Sequence, residues 1–228
     1  MKLLLSGRNN MNLNEAYNAF IFSREAFCSD KTVKNYKNTI RYFCDFLATY
    51  LGKKSDVIDV NDITLLHLNE YSIYLKTKVK NEGHLYFPPT SDFISSRTRK
   101  SYLTDMKTFI GFLKDEEIIA ENILARFKMP RATGRIIEPL TIREVERIDG
   151  AFEKNMYYGV RDMAIVHLLL DEGLRSSEVR KLKLSDVNFE KKCIMIRNSK
   201  FNKNRVLPLA KCACEYLKEY IEHKRPVT

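Results

Sequence analysis

Between Lys31 and Tyr50 the apolar residues Val33, Tyr36, Ile40, Phe43, Leu47 and Tyr50 recur in alternating steps of three and four. That spacing follows the 3.6-residue turn of an α-helix and gathers all six on one stripe. A strand is excluded, because its faces alternate every two residues. Ser29 or Asp30 is placed to cap the start, and Gly52 follows the last stripe residue as a stop. The same reading extends to the rest of the first half. A looser helical pattern covers about 14–27. A further helix begins near Thr64 with Leu68, Tyr71, Leu75 and Val79 on one face. After a turn-rich loop over 81–90, Ser95 or Ser96 caps a helix whose inner stripe is Leu103, Met106, Ile110 and Leu113.

The first turn of that last helix holds Arg97, Arg99 and Lys100, with Lys107 further along. Cations at a helix N-terminus oppose the macrodipole, so a phosphate backbone outside the helix is one thing that would favour them. The alternative is that these long side chains reach into water. Charge points the same way. Lys and Arg number 39 against 29 Asp and Glu, a formal net charge of +10, which suits a polyanionic partner such as nucleic acid. With 44% apolar and 30% charged residues the chain reads as globular. Its apolar runs fall well short of the roughly 20 residues of a spanning helix, and the start is too brief for a signal peptide. Five scattered cysteines, Cys28, Cys44, Cys193, Cys212 and Cys214, fit unpaired thiols in a reducing cytoplasm. Cys212 and Cys214 lack a second pair at zinc spacing, so no metal is expected.

The helical pattern breaks at 128–139, where two prolines, Gly134, Lys128, Arg131 and Arg135 stand without an apolar stripe. This predicts a basic linker between a helical domain, 1–127, and a second domain, 140–228. The second domain opens on a capping box, Thr141 with Glu144. An apolar helix follows over 160–170 and stops at Gly173, with a short helix over 176–182 after it. Two strands, 193–196 and 205–209, flank a loop at 198–204, and a last helix runs over 210–222 with Tyr216, Leu217, Tyr220 and Ile221 recurring.

Two segments carry chemistry. Arg175 follows the helix-ending Gly173 at the entrance to a new helix, where backbone N–H groups favour an anion and a guanidinium adds bidentate phosphate recognition. Glu178 lies one turn on, placed to hold that guanidinium. In the second segment Lys200 sits on the hairpin tip, where a flexible cation reaches a ligand over the sheet. Taken singly, each is a weak signal.

Together and in this order the segments resemble the tyrosine recombinase (phage integrase) family. The arginine box stands as Gly173-Leu174-Arg175, Glu178, Leu182-Lys183-Leu184 and Asp186. The hairpin stands as Lys200, Lys203, Arg205, Val206-Leu207 and Pro208. Arg161-Asp162 and the Thr141 capping box also match the way that family's catalytic domain opens. The resemblance implies a mainly α fold with a small β-hairpin or sheet: a SAM-like helical core-binding domain followed by part of an α+β catalytic domain. It implies DNA integration and site-specific recombination through a 3′-phosphotyrosine, without cofactor or metal, in a mobile-element or chromosomal setting in the bacterial cytoplasm or nucleoid. Arg175 would be the first catalytic arginine, Lys200 the lysine that protonates the departing 5′-hydroxyl, and Glu178 the residue orienting Arg175. Lys203 is the fallback for the lysine. Arg97, Arg99, Lys100, Lys107, Arg131, Arg135, Lys203 and Arg205 are the expected DNA contacts.

The pattern is incomplete. The family's His-x-x-Arg box should follow the hairpin and the next helix, and only His223-Lys224-Arg225 stands there, at the wrong spacing. No nucleophilic tyrosine follows. Tyr216 and Tyr220 read as packing residues, His67, His84 and His167 fall in the wrong elements, and His167 reads as a core or boundary residue. The expectation is therefore a C-terminally truncated recombinase that binds duplex DNA without cleaving it, monomeric in solution where the family forms tetramers on DNA. A non-catalytic regulator occupying recombination or operator sites is the alternative. A helical interaction protein without nucleic acid would require both boxes to be coincidence.

Overall fold

The computed structural model describes residues 11–81, 88–131, 137–197 and 204–226. They fall into two compact units, Met1–Ile136 and Ile137–Thr228. In the first, Asn12 starts helix α1 (Leu13–Glu25) with a capping box: its Oδ1 accepts from the Glu15 N–H at 2.9 Å, and Glu15 Oε2 accepts from the Asn12 N–H at 3.2 Å. Ser29 caps α2 (Asp30–Leu51), and Gly52 ends it in the left-handed conformation at φ 62°. Ser95 caps α4 (Ser96–Asp115). Helix α3 (Leu65–Thr77) starts at Thr64, whose N–H donates to His67 Nδ1 at 3.0 Å. His67 is thus occupied in closing a helix end.

The stripes read from the sequence meet in one core. Phe20, Ile40, Phe43, Leu47, Leu68, Tyr71, Leu75, Leu103, Met106, Phe109 and Leu113 are all buried. Aromatic rings interlock at its centre. Phe20 meets Phe109 edge-on at 5.4 Å, and Phe43 lies 4.9 Å from Tyr71. Asp105 is a buried acid at the edge of this core: Asn35 Nδ2, from the exposed side of α2, donates to it at 2.9 Å, and burial raises its carboxyl above the ordinary value. Val79 departs from the expected stripe. α3 ends at Thr77, Lys78 turns extended, and Val79 pairs with Phe93 as an isolated antiparallel bridge at the base of the loop. Three further backbone bonds, Lys80 to Asp92, Thr90 to Lys80 and Ile94 to Lys78, hold that base.

The second unit opens with the Thr141 capping box of α5 (Ile142–Gly150): Thr141 N–H donates to Glu144 Oε2 at 2.8 Å, and the Glu144 N–H donates to Thr141 Oγ1. Helix α6 (Tyr157–Leu170) begins three residues earlier than expected. Gly159 lies against the Glu153 carbonyl, where a Cβ would collide with the backbone. The short α7 (Ser176–Val179) gives way to turns before Leu182. A three-stranded antiparallel sheet follows in the order β1 (Val187–Asn188), β2 (Cys193–Ile196), β3 (Arg205–Pro208). β1 is new relative to the sequence reading, because two residues are too few to show alternation. Helix α8 (Lys211–Glu219) runs into a π-helical turn, Tyr220–Lys224, where a continuous helix was expected. Ala164, Leu168, Leu174, Ile194, Ile196, Leu209, Ala213 and Leu217 form this unit's core. The whole is mainly helical with one small sheet, as expected. Among the described residues no helix is long and apolar enough to cross a membrane.

Candidate nucleic-acid interface

Arg175 is placed by the residues just before it. Asp171 is the last helical residue after α6, Gly173 takes φ 61°, and buried Leu174 donates its N–H to the Leu168 carbonyl at 3.3 Å. A left-handed residue here turns the chain sharply at little steric cost only when it is glycine. The turn delivers Arg175 to the position before α7, with extended backbone angles and its side chain 58% exposed.

Glu178 organises the site. Its side chain is only 5% exposed, and four donors converge on it. The Arg175 N–H donates to Oε2 at 2.9 Å and Arg175 Nη1 donates to Oε1 at 3.0 Å. From β3, Arg205 Nη1 reaches Oε1 at 2.9 Å and Nη2 reaches Oε2 at 3.0 Å. These bonds, led by those from Arg205, outweigh the opposing effect of burial and hold the Glu178 carboxyl down at about 2. A buried charge survives when paired and hydrogen-bonded on both oxygens. Glu178 does contact Arg175, as the sequence suggested, and Arg205 is its second and more extensive partner.

Arg205, expected among the DNA contacts, turns its terminal edge to Glu178, and its side chain is 33% exposed. It acts as a buttress. A parallel construction lies eight residues on: Asp186, 5% exposed, accepts from Arg197 Nε at 2.6 Å and from the Lys183 N–H at 3.1 Å. The Arg197 contact holds the Asp186 carboxyl below its ordinary value. Arg197 was missed by the sequence reading. Its signal, an arginine ending a strand with an aspartate ahead of the sheet, is too common to single out.

The other candidates separate. Lys200 and Lys203 of the hairpin, and Arg135 of the linker, lie outside the described residues, as does His84. Arg97 and Lys100 are exposed on α4 and Lys107 is half-buried, at the helical spacing that shares one face. Arg99 points elsewhere, half-buried with its Nε enclosed. Arg131 is exposed. Tyr216 packs, as read from the sequence: it stacks on His167 at 4.9 Å, and burial raises its phenol above the ordinary value. His167 is buried between two carboxylates, Asp149 at 3.1 Å and Asp171 at 3.0 Å. It joins α5 to the end of α6.

Comparison with known proteins gives this geometry a lineage. Residues 12–129 match the phage integrase SAM-like domain, and residues 138–227 match the phage integrase family. The chain is 30% identical over 193 residues to the tyrosine recombinase XerC of Chlamydia trachomatis serovar L2, covering 82% of this chain and 61% of that protein. It is 29% identical over 198 residues to a tyrosine recombinase of Thermosipho africanus, covering 87% and 63%. The chain thus spans less than two thirds of these relatives' length. In fold it resembles the Tn1549 transposon integrase in complex with circular intermediate DNA, with a TM-score of 0.69 and 18% identity over 96% of this chain and 67% of that one. It also resembles a lambda integrase tetramer bound to a Holliday junction, with a TM-score of 0.64 and 17% identity over 94% and 57%. The buried glutamate with its two arginines therefore sits in a chain that belongs to the tyrosine recombinase (phage integrase) family.

Proposed function

We propose that the chain binds duplex DNA as part of a site-specific recombinase or integrase, with Arg175 holding the phosphate at which strands are exchanged. The observation that carries this reading is the state of the Arg175 guanidinium. Buried Glu178 fixes one terminal nitrogen, leaving the Nε and Nη2 edge of a half-exposed side chain for a phosphate. A fixed cation where charge develops stabilises a transition state without reorganising. Lys200 is the proton donor to the departing 5′-hydroxyl, and Lys203 is the fallback. Glu178 is a positioning residue. Arg97, Lys100, Lys107, Arg131 and Arg135 supply contacts to the DNA backbone. The protein works at the chromosome in the cytoplasm, alone in solution and in higher-order assembly on DNA, as the lambda relative is on its junction.

These 228 residues hold no His-x-x-Arg after the hairpin. They are proposed to bind and not to cleave. Two measurements test the reading. Binding to duplex DNA should fall steeply with salt, with a log–log slope near −5 for about six phosphates neutralised. A nicked suicide duplex should yield no covalent phosphotyrosyl adduct. Salt-insensitive or absent duplex binding would overturn the DNA reading, and an adduct would overturn the proposed lack of cleavage.

A further inference from the structure

Arg175 and Arg205 share Glu178, Arg197 follows the end of β2 on Asp186, and each of the three has spent a different part of its guanidinium. Arg205 pairs with Ile196 across β2 and β3, and Arg197 is the first residue after β2. Glu178 links Arg205 to Arg175. Arg205 has given its terminal fork to Glu178. Arg175 has given one terminal nitrogen. Arg197 has given only Nε, to Asp186 at 2.6 Å.

A guanidinium has two bidentate edges, the side edge through Nε and the terminal edge through Nη1 and Nη2. With Nε held by a buried carboxylate, the terminal edge of Arg197 is directed away from Asp186. Among the described residues nothing accepts from it, and the side chain is 54% exposed. Asp186 itself is fixed by the Lys183 N–H. A free surface arginine loses rotamer freedom when it is immobilised on a ligand. Anchoring at Nε removes much of that loss in advance. A half-exposed ion pair contributes little to stability, and a buried carboxylate costs desolvation that an apolar residue would avoid. Orienting the arginine is the function that accounts for both.

We infer that Arg197, held at Nε by buried Asp186, is a phosphodiester-binding residue in addition to Arg175, taking a further phosphate of the same DNA on its terminal fork. This rests on the DNA-binding reading above and adds a contact to it. Asp186 is its positioning residue, as Glu178 is that of Arg175. The two carboxylates lie eight positions apart on one short connection, so a single segment sets both arginines.

The test is a salt titration of binding to a 25-base-pair duplex by fluorescence anisotropy, using the whole chain. Arg197→Gln should make the log–log slope shallower by about 0.9, the value of one phosphate contact. It should weaken binding at low salt several-fold. Because that variant leaves Asp186 buried without its partner, Asp186→Asn/Arg197→Gln is measured beside it, with melting curves for both. The double variant removes the buried charge together with its partner and should show the same loss of slope. Arg197→Lys keeps the charge and loses the fork, so it should retain the slope and bind more weakly. An unchanged slope in a folded Arg197→Gln or double variant overturns the inference while leaving the DNA reading intact. Absence of salt-dependent binding by the unaltered chain removes the DNA reading itself, and the two failures are therefore distinct.

Discussion

Arg205 donates Nη1 and Nη2 to the two oxygens of Glu178, at 2.9 and 3.0 Å, across 27 positions of sequence. Arg175, three residues from the same carboxylate, gives it one side-chain nitrogen and its backbone N–H. The distant arginine thus holds the glutamate, and the glutamate holds the near one. The two should separate in experiment. Arg205→Ala leaves a buried carboxylate short of its bidentate partner and should destabilise the second unit by about 2–4 kcal/mol. Arg175→Ala leaves the Arg205 fork and the backbone bond in place and should cost about 1 kcal/mol or less. Urea unfolding reads both. Equal losses, or the reverse order, would show that Arg205 is not the buttress.

Glu178 also gives the second unit an acid sensitivity. Its carboxyl titrates at about 2 in the fold, against an ordinary value of 4.5. A depressed carboxyl contributes stability that is fully present above its unfolded value and is lost as pH falls through the folded one. Stability should therefore decline between about pH 4.5 and pH 2, by up to about 3 kcal/mol from this group. Asp186, also lowered by its arginine, adds in the same direction. Glu178→Gln should start less stable at neutral pH and lose less on acidification. Melting curves at pH 6, 4.5 and 3 supply the comparison, and parallel declines in both proteins would contradict it.

The helical half was legible because its signal is local and repeated. Val33, Ile40, Phe43 and Leu47, and Leu103 to Leu113, are buried as stripes, while Tyr36 is half-buried and Tyr50, the last of its stripe, is 46% exposed at the helix end. Ser29, Ser95 and Thr141 announced their helices because a capping side chain acts within three residues. The contact of Glu178 with Arg175 was readable for the same reason. Its larger bond to Arg205 was not, since any of many arginines satisfies a carboxylate and only the strand register selects this one. His167 shows both cases: Asp171 is a local partner four residues on, whereas Asp149 is selected only by how α5 docks on α6. Val79 misled because an apolar residue four positions after Leu75 continues the stripe, although the backbone turns extended at Lys78.

Two glycines of the second unit should respond differently to alanine. At Gly173 a Cβ meets nothing within 4 Å, so the only cost of Gly173→Ala is the left-handed backbone at φ 61°, roughly 1 kcal/mol. At Gly159 the backbone is helical and alanine is the better helix former, but the Cβ would strike the Glu153 carbonyl. Gly159→Ala should therefore be the more damaging, because backbone must move. Thermal melts decide between them. A mild effect at Gly159 would mean that the 153–156 turn yields easily.

The cations of α4 make the last prediction, in which stability and binding move in opposite directions. Arg97 lies in the first turn and Lys100 opens the second, and the first turn presents no acidic residue to the helix's positive end. Removing Arg97 should relieve an unfavourable interaction of about 0.3–1 kcal/mol at low ionic strength, and removing Lys100 less, since the effect falls off within the first turn. Both are exposed, and the stripe buried beneath them, Leu103, Met106 and Ile110, is untouched. Arg97→Gln/Lys100→Gln should therefore melt at the same temperature or slightly higher. If these side chains lie on the DNA backbone, the same variant should bind duplex DNA more weakly and its salt slope should become shallower by about 1.8. Stability gained with affinity lost assigns the two cations to the ligand. A gain in stability with the slope unchanged would leave them as solvated side chains, and the DNA surface of the first unit would have to be sought at Lys107 and Arg131.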